Sequence, residues 1–226
     1  MTRVLVVDDE RQIRRALVLN LSARGYDVYE AESGEKALTT AASERPDAML
    51  LDLGLPGLDG LQVIEALRGW TKMPIIVLTV REDEQSKVHA LDLGADDYVT
   101  KPFGMAELMA RLRAALRRVP DACNEISTVT TSSFQLDLAS RQAALADGSE
   151  VHLTPTEWRI VIHLACNPGR LVTRAQLVEA VWGPSHDAYP NLLRVHIAHI
   201  RGKLERDPAR PRHFITESGM GHRFES

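Results

Sequence analysis

Four places in the first half of the chain put chemically active side chains directly after short apolar runs. Asp8-Asp9-Glu10 follows residues 4–7, Asp52 follows 49–51, and Thr79 follows 75–78. Lys101-Pro102 follows a weaker run at 97–99 that contains Tyr98. Such runs read as buried strands, and in a parallel sheet ligands gather at the carboxyl ends of the strands, near the point where the strand order reverses. Carboxylates converging there repel one another unless a cation joins them, and hard oxygen ligands with room for water suit Mg²⁺. Lys101 adds a positive charge and Thr79 a hydroxyl around a carboxylate able to become an acyl phosphate. An in-line nucleophile with cations neutralising three equatorial oxygens is what phosphoryl transfer needs. One strand-end aspartate alone would more simply cap a helix; a matched set on four strands argues for a site.

The second half holds a different constellation. Between residues 191 and 223 there are seven Lys and Arg side chains against Glu205, Asp207 and Glu217, a basic segment on a chain whose net charge is −4. That pattern suggests a focused polyanion site, with a solvated helix face as the bland alternative. On a helical wheel from Pro190 to about Arg206, Leu193, Ile197, Ile200 and Leu204 form the core side. Asn191, Val195, Ala198, His199 and Gly202 lie opposite, flanked by Arg194, Arg201 and Lys203. Small residues allow close approach to a groove, and flanking cations suit phosphates. His196 and His199, at i and i+3, have the spacing of metal ligands but no evident third ligand.

The elements that must position these groups follow from periodicity. Five apolar runs, with Asp27 to Ala31 as the second, alternate with stretches of helical period over residues 1–118. This implies a doubly wound α/β domain with a five-stranded parallel sheet covered on both faces. Residues 119–127 lack periodicity and read as a linker. Residues 128–226 read as strands around Asp147-Gly148, then three helices, then a short hairpin from Phe214 to Phe224. The first helix opens at Thr154-Pro-Thr-Glu157 with cap threonine, proline and glutamate in order; the second runs from Thr173 to Trp182. That order is an α+β winged helix-turn-helix.

Composition excludes several classes. The 226 residues, 44% hydrophobic and 26% charged, suit two ordinary domains. Cys123 and Cys166 are the only cysteines; they fit neither a disulfide scaffold nor a zinc ribbon and suit a reducing compartment. No apolar run approaches a membrane span and the N-terminus has no signal-peptide pattern, so a cytoplasmic protein with no membrane partner is expected.

Taken together, Asp8-Asp9, Asp52-Leu-Gly-Leu-Pro56, Thr79, Gly94-Ala-Asp-Asp-Tyr98 and Lys101-Pro102-Phe103 resemble the flavodoxin-like receiver domain of two-component response regulators. The resemblance implies that Asp52 accepts phosphate from a sensor histidine kinase. It also implies Mg²⁺ held by Asp9, Asp52 and the Gly54 carbonyl, with Asp8 acting through water. Lys101 would pair with the phosphate, Thr79 and Tyr98 would form the switch, and Lys101-Pro102 would be cis. Lys87, Asp96, Asp97, Glu107, Arg111 and Arg118 match the charged residues through which the OmpR/PhoB subfamily forms homodimers on phosphorylation; alone they would read as surface ion pairs.

The second half resembles the winged-helix effector domain of that subfamily through Leu153-Thr-Pro-Thr-Glu157, Val195-His-Ile197, Ile200-Arg-Gly-Lys-Leu204 and Gly219-Met-Gly-His-Arg-Phe224. Promoter DNA is the implied ligand, through Asn191, Arg194, Val195, Ala198, His199, Arg201, Lys203, Thr216 and Arg223. RNA polymerase would be met by the loop near Trp182 to Pro190. Ser218, His222 and Asn191 stand where the family usually has Arg, Tyr and Arg. Residues 52–56 and 207–217 are similar to those of regulators of the Kdp potassium-uptake operon. An enzymatic alternative, a phosphatase of related fold, would need a DxD pair that Val7-Asp8-Asp9 does not supply.

Overall fold

The computed structural model describes residues 1–80, 84–116, 128–183 and 190–226, and the chain divides into two compact units, 1–116 and 117–226. Arg118, the linker 119–127 and residues 184–189 of the expected polymerase loop lie outside the described residues.

In the first unit, β1 (Arg3–Val7), β2 (Asp27–Ala31), β3 (Ala48–Asp52), β4 (Ile75–Thr79) and β5 (Asp97–Thr100) alternate with α1 (Arg11–Ser22), α2 (Gly34–Glu44), α3 (Gly60–Arg68), α4 (Glu84–Asp92) and α5 (Met105–Leu116). The strands are all parallel, in the order β2-β1-β3-β4-β5. Strand side chains alternate between faces. Val4, Val6, Leu50, Ile76, Leu78 and Val99 pack with Leu17 and Leu21 of α1 and with Leu108 and Leu112 of α5. The alternate residues Leu5, Val7, Met49, Leu51 and Val77 are equally buried on the other face, as are Ala37, Val63, Ile64 and Leu67 of α2 and α3. Gly60 matters to the site: a Cβ there would collide with the Asp52 carbonyl oxygen and with Leu53, so only glycine lets α3 start against the end of β3.

The second unit begins with a four-stranded antiparallel sheet of β6 (Thr128–Thr130), β7 (Phe134–Asp137), β8 (Gln142–Leu145) and β9 (Glu150–Val151). Next come α6 (Pro155–Ala165), β10 (Val172–Thr173), α7 (Arg174–Trp182) and α8 (Pro190–Leu204), then the hairpin β11 (Phe214–Glu217) and β12 (Gly221–Phe224). Strand β10 adds to that hairpin in the order β10-β12-β11. Gly221 permits this crossing, because any Cβ would overlap the Val172 carbonyl oxygen. Both α6 and α7 start with complete capping boxes, Thr154 with Glu157 and Thr173 with Gln176.

Three details differ from the periodicity. The short strands β6, β9 and β10 carry too few residues to show alternation. The last helix stops at Leu204 rather than Arg206, where Pro208 disfavours helical backbone at Asp207 and the Glu205 carboxylate turns to other partners. Cys166, at the end of α6, is disulfide-bonded, whereas the cysteine spacing points away from a disulfide scaffold and towards a reducing compartment.

Candidate functional site

Strand register assembles the first site. Val7 lies opposite Leu51, Asp52 opposite Leu78, and Thr79 opposite Thr100, so Asp8, Asp52, Thr79 and Lys101 end four neighbouring strands at one edge. Carboxylate oxygens of Asp8, Asp9 and Asp52 all lie within 4.8 Å of one another; Asp8 and Asp52 are buried and Asp9 is exposed. Lys101 Nζ reaches in to 2.7 Å from Asp8 Oδ2 and 3.2 Å from Asp52 Oδ2. The Lys101-Pro102 bond is cis, and Lys101 N donates to the Thr79 carbonyl at 2.7 Å. The Gly54 backbone runs beside Asp52, close enough that a Cβ there would stand 3.5 Å from Oδ2.

Burial pushes the Asp8 carboxyl above its ordinary range, more than the Lys101 hydrogen bond and charge bring it down. Burial also works against the Lys101 ammonium, but the Asp8 hydrogen bond and the Asp52 and Asp8 charges outweigh it and leave its pKa raised. A permanently charged lysine thus spans two buried carboxylates. Beneath them Arg14, itself buried, donates to the Asp8 and Asp9 carbonyls at 2.6 and 2.9 Å. Arg14 reads in the sequence only as a polar position on α1, so this support was not legible. The donor set is all oxygen with one exposed member, which fits a hard divalent cation that keeps some of its water.

Thr79 and Tyr98 are both buried, and Lys87 Nζ lies 5.3 Å from the Tyr98 ring centroid. The charged set beyond the pocket is not a group of surface pairs. Asp96 is 1% exposed and accepts from Arg68 and from Ile75 N, each at 3.0 Å. Asp97 and Arg111 are buried against each other, and among the described residues of this group only Glu107 is well exposed. The alternating charge pattern showed opposite signs but could not show their depth.

In the second unit the core side of α8 is wider than the wheel implied. Leu193, Ile197, Ile200 and Leu204 are buried, and so are Leu192 and His196. His196 packs beside Trp182, with ring centroids 5.8 Å apart. Arg194 and Ala198 are exposed and Val195 is half-buried, forming the open face of the helix. Asn191 belongs to α8, but its side chain is outside the described residues.

Of the flanking cations, Arg201 and Lys203 are engaged within the unit. Arg201 Nε donates to the Phe214 carbonyl at 2.8 Å and Nη2 to Thr216 Oγ1 at 2.6 Å, which ties the helix to β11. Lys203 Nζ meets Glu157 Oε2 at 2.7 Å, and His199 Nδ1 is 3.9 Å from Glu157 Oε1. Arg223 sits between Glu217 and Glu225, at 3.0 Å from each. Glu205 accepts from the backbone N–H groups of Arg212, His213 and Phe214 at 3.0, 2.8 and 2.8 Å, and so fixes the entry to β11. His222, held to Thr216 Oγ1 at 3.2 Å, is pushed down to about 4 by burial and by the Arg201 and Arg174 charges. That effect locates Arg174, an exposed cation at the start of α7, beside the hairpin; nothing in its sequence context had marked it.

Residues 4–113 match the family described as response regulator receiver domain, and residues 148–224 match transcriptional regulatory protein, C terminal. The transcriptional regulatory protein KdpE of Mycobacterium tuberculosis is 54% identical over 227 residues, covering all of both chains. The chain belongs to the response-regulator family. The KDP operon transcriptional regulatory protein KdpE of Escherichia coli is 49% identical to this regulator, over 99% of each chain. Among solved structures, DrrB, a Thermotoga maritima OmpR/PhoB homolog, aligns over all of both chains at 30% identity and a TM-score of 0.54. This regulator is therefore a phosphorylation-activated, DNA-binding transcription factor of the OmpR/PhoB type rather than a typical enzyme, which sets aside the phosphatase alternative. Its class implies a sensor kinase and promoter DNA as partners. Among the described residues no helix is long and apolar enough to cross a membrane.

Proposed function

We propose that Asp52 is the phosphoacceptor of a regulator acting on potassium-transport promoters. The observation that carries the site is the convergence of Asp8, Asp9 and Asp52 with the Lys101 ammonium at one sheet edge. The Asp52 carboxylate attacks the phosphorus of a phosphohistidine, the P–N bond breaks, and imidazole leaves. Asp9, Asp52 and the Gly54 carbonyl, with Asp8 through a water, would hold Mg²⁺, which would supply positive charge to the phosphoryl oxygens. Lys101 then leaves the Asp52 carboxylate for the phosphate. Thr79, next along the edge, supplies its hydroxyl to the same oxygens, and movement of Thr79 lets Tyr98 settle deeper against α4.

The α4, β5 and α5 surface, with Lys87 and Glu107 outermost, forms the homodimer on phosphorylation. Paired regulators place two copies of α8 in successive major grooves of a direct repeat. Asn191 reads adenine, Val195 and Ala198 meet thymine methyls, and Arg194, Arg174 and the hairpin cations follow phosphates. The sequence preference is therefore A·T-leaning. The promoter assignment rests on the two KdpE relatives. RNA polymerase contact through the loop after Trp182 and residence in the cytoplasm belong to the same reading.

The deciding experiment labels the chain with acetyl phosphate and Mg²⁺, then footprints it on its own upstream region and on potassium-transport promoters. Protection of paired direct repeats that depends on labelling supports the assignment; protection independent of labelling, or absent from those promoters, overturns it.

A further inference from the structure

His196 and His199 occupy one face of α8, and the fold supplies the ligand that their spacing lacked. Glu157, the third residue of α6, brings a carboxylate oxygen to them, and one donor atom from each of the three residues lies within 4.8 Å of the others. Glu157 and His196 are buried, while His199 is half-buried and opens the cluster to solvent. The two carboxylate oxygens share Lys203 and otherwise face different groups. Oε2 accepts the Thr154 N–H at 2.7 Å, the capping-box bond that holds the glutamate in place. Oε1 faces His199 Nδ1 at 3.9 Å. The imidazole rings of His196 and His199 are close to perpendicular, with centroids 6.2 Å apart.

We infer that Glu157, His196 and His199 form a site for a divalent transition metal of the Zn²⁺ class, separate from the carboxylate pocket of the receiver unit. Two imidazoles and one carboxylate are a borderline-soft set that suits Zn²⁺ and disfavours Mg²⁺. Ligands about 2.0–2.1 Å from one ion lie within about 4 Å of each other, so the cluster needs only a small inward turn of the more exposed His199. The Thr154 N–H on the other carboxylate oxygen is the outer contact that orients a metal-bound glutamate. Three protein ligands leave a position for water. Lys203 Nζ, at 2.9 Å from Oε1 and 2.7 Å from Oε2, is the cation on this carboxylate now. Metal and ammonium both need Oε1, so they compete, and an incoming ion sends Lys203 to solvent.

The test is a Co²⁺ titration of the full chain in saturating Mg²⁺, which keeps the receiver carboxylates occupied. A low-coordinate site with two nitrogens gives an intense visible band at one equivalent, bleached by added Zn²⁺. His199→Ala, at the most exposed ligand, lowers apparent Co²⁺ affinity by at least the about 10–100-fold that loss of an outer-shell partner costs. Lys203→Met raises it several-fold, because the competing charge is gone. Asp9→Asn, in the receiver pocket, leaves the band intact. Zn²⁺ also raises the melting temperature of the unaltered chain and not that of His199→Ala. No visible band, a band that survives His199→Ala or disappears with Asp9→Asn, or a Lys203→Met variant that binds no better would each overturn the site.

Discussion

Arg111 Nη1 holds both carboxylate oxygens of Asp97 at 3.0 Å, with each side chain almost out of solvent. Nε and Nη2 of the same guanidinium hold Glu107 Oε1 at 3.1 and 2.8 Å. Removing one member of a buried pair strands the other, at about 3–5 kcal/mol. Arg111→Ala is therefore expected to lower receiver stability by that order in urea unfolding, and so is a poor probe of pairing between chains. Lys87→Glu is the better probe: labelling should persist while the sedimentation shift on phosphorylation disappears. A phosphorylated dimer of unchanged affinity in that variant would place the interface elsewhere.

Asp52→Asn is expected to abolish Mg²⁺-dependent labelling by acetyl phosphate. Lys101→Ala should still label, more weakly, but give neither dimer nor footprint, because the cation that would follow the phosphate is missing. Phosphate retained on Asp52→Asn after peptide mapping would transfer the acceptor role to another carboxylate.

Arg194 and Arg201 should separate cleanly in DNA binding. Arg194 is exposed with a free approach to a phosphate, so Arg194→Ala should weaken all sequences alike and flatten the salt dependence by about one unit. Arg201 holds Phe214 and Thr216, so Arg201→Ala should reduce stability as well as affinity, since it releases the hairpin from the helix. Titrations at several salt concentrations, with melting curves alongside, read both effects.

His222 gives the second domain an acid limit. Its pKa falls from an ordinary 6.5 to about 4 on folding, so the folded state binds fewer protons than the unfolded. The stability it contributes is complete above about pH 6.5 and is lost as pH falls towards 4. At about 1.4 kcal/mol per pH unit the loss is bounded at about 3.5 kcal/mol, and solvent screening of the partly exposed ring lowers it further. Urea midpoints followed by Trp158 and Trp182 emission should drop across that window, and His222→Tyr should flatten the dependence.

The receiver was largely legible because parallel strands buried on both faces read as continuous apolar runs, and the residues that end them stand next to those runs in sequence. The placement of Asp8, Asp52, Thr79 and Lys101 at one sheet edge could be read from that adjacency alone. Depth and partners distant in sequence were not legible. Asp97 and Arg111 look alike on paper whether buried or solvated, since periodicity marks apolar faces and not salt bridges under them. Glu157 declares itself only as a helix cap, although its carboxylate also meets two residues more than 35 positions away on α8. Arg201 reads as a surface cation, because the carbonyl it holds belongs to a strand that packs only once the chain is folded.

The clamp of Arg201 on β11 and of Glu205 on the turn before it makes α8, the proposed reading helix, and the hairpin a caliper of fixed gape. A protein whose jaws do not adjust leaves the fitting to its ligand. The cost of a site then includes bending and groove narrowing of the duplex between the two jaws, and soft base steps there are favoured although no side chain touches them. Promoters for this regulator should differ in affinity by the flexibility of their untouched bases as well as by the bases that α8 meets.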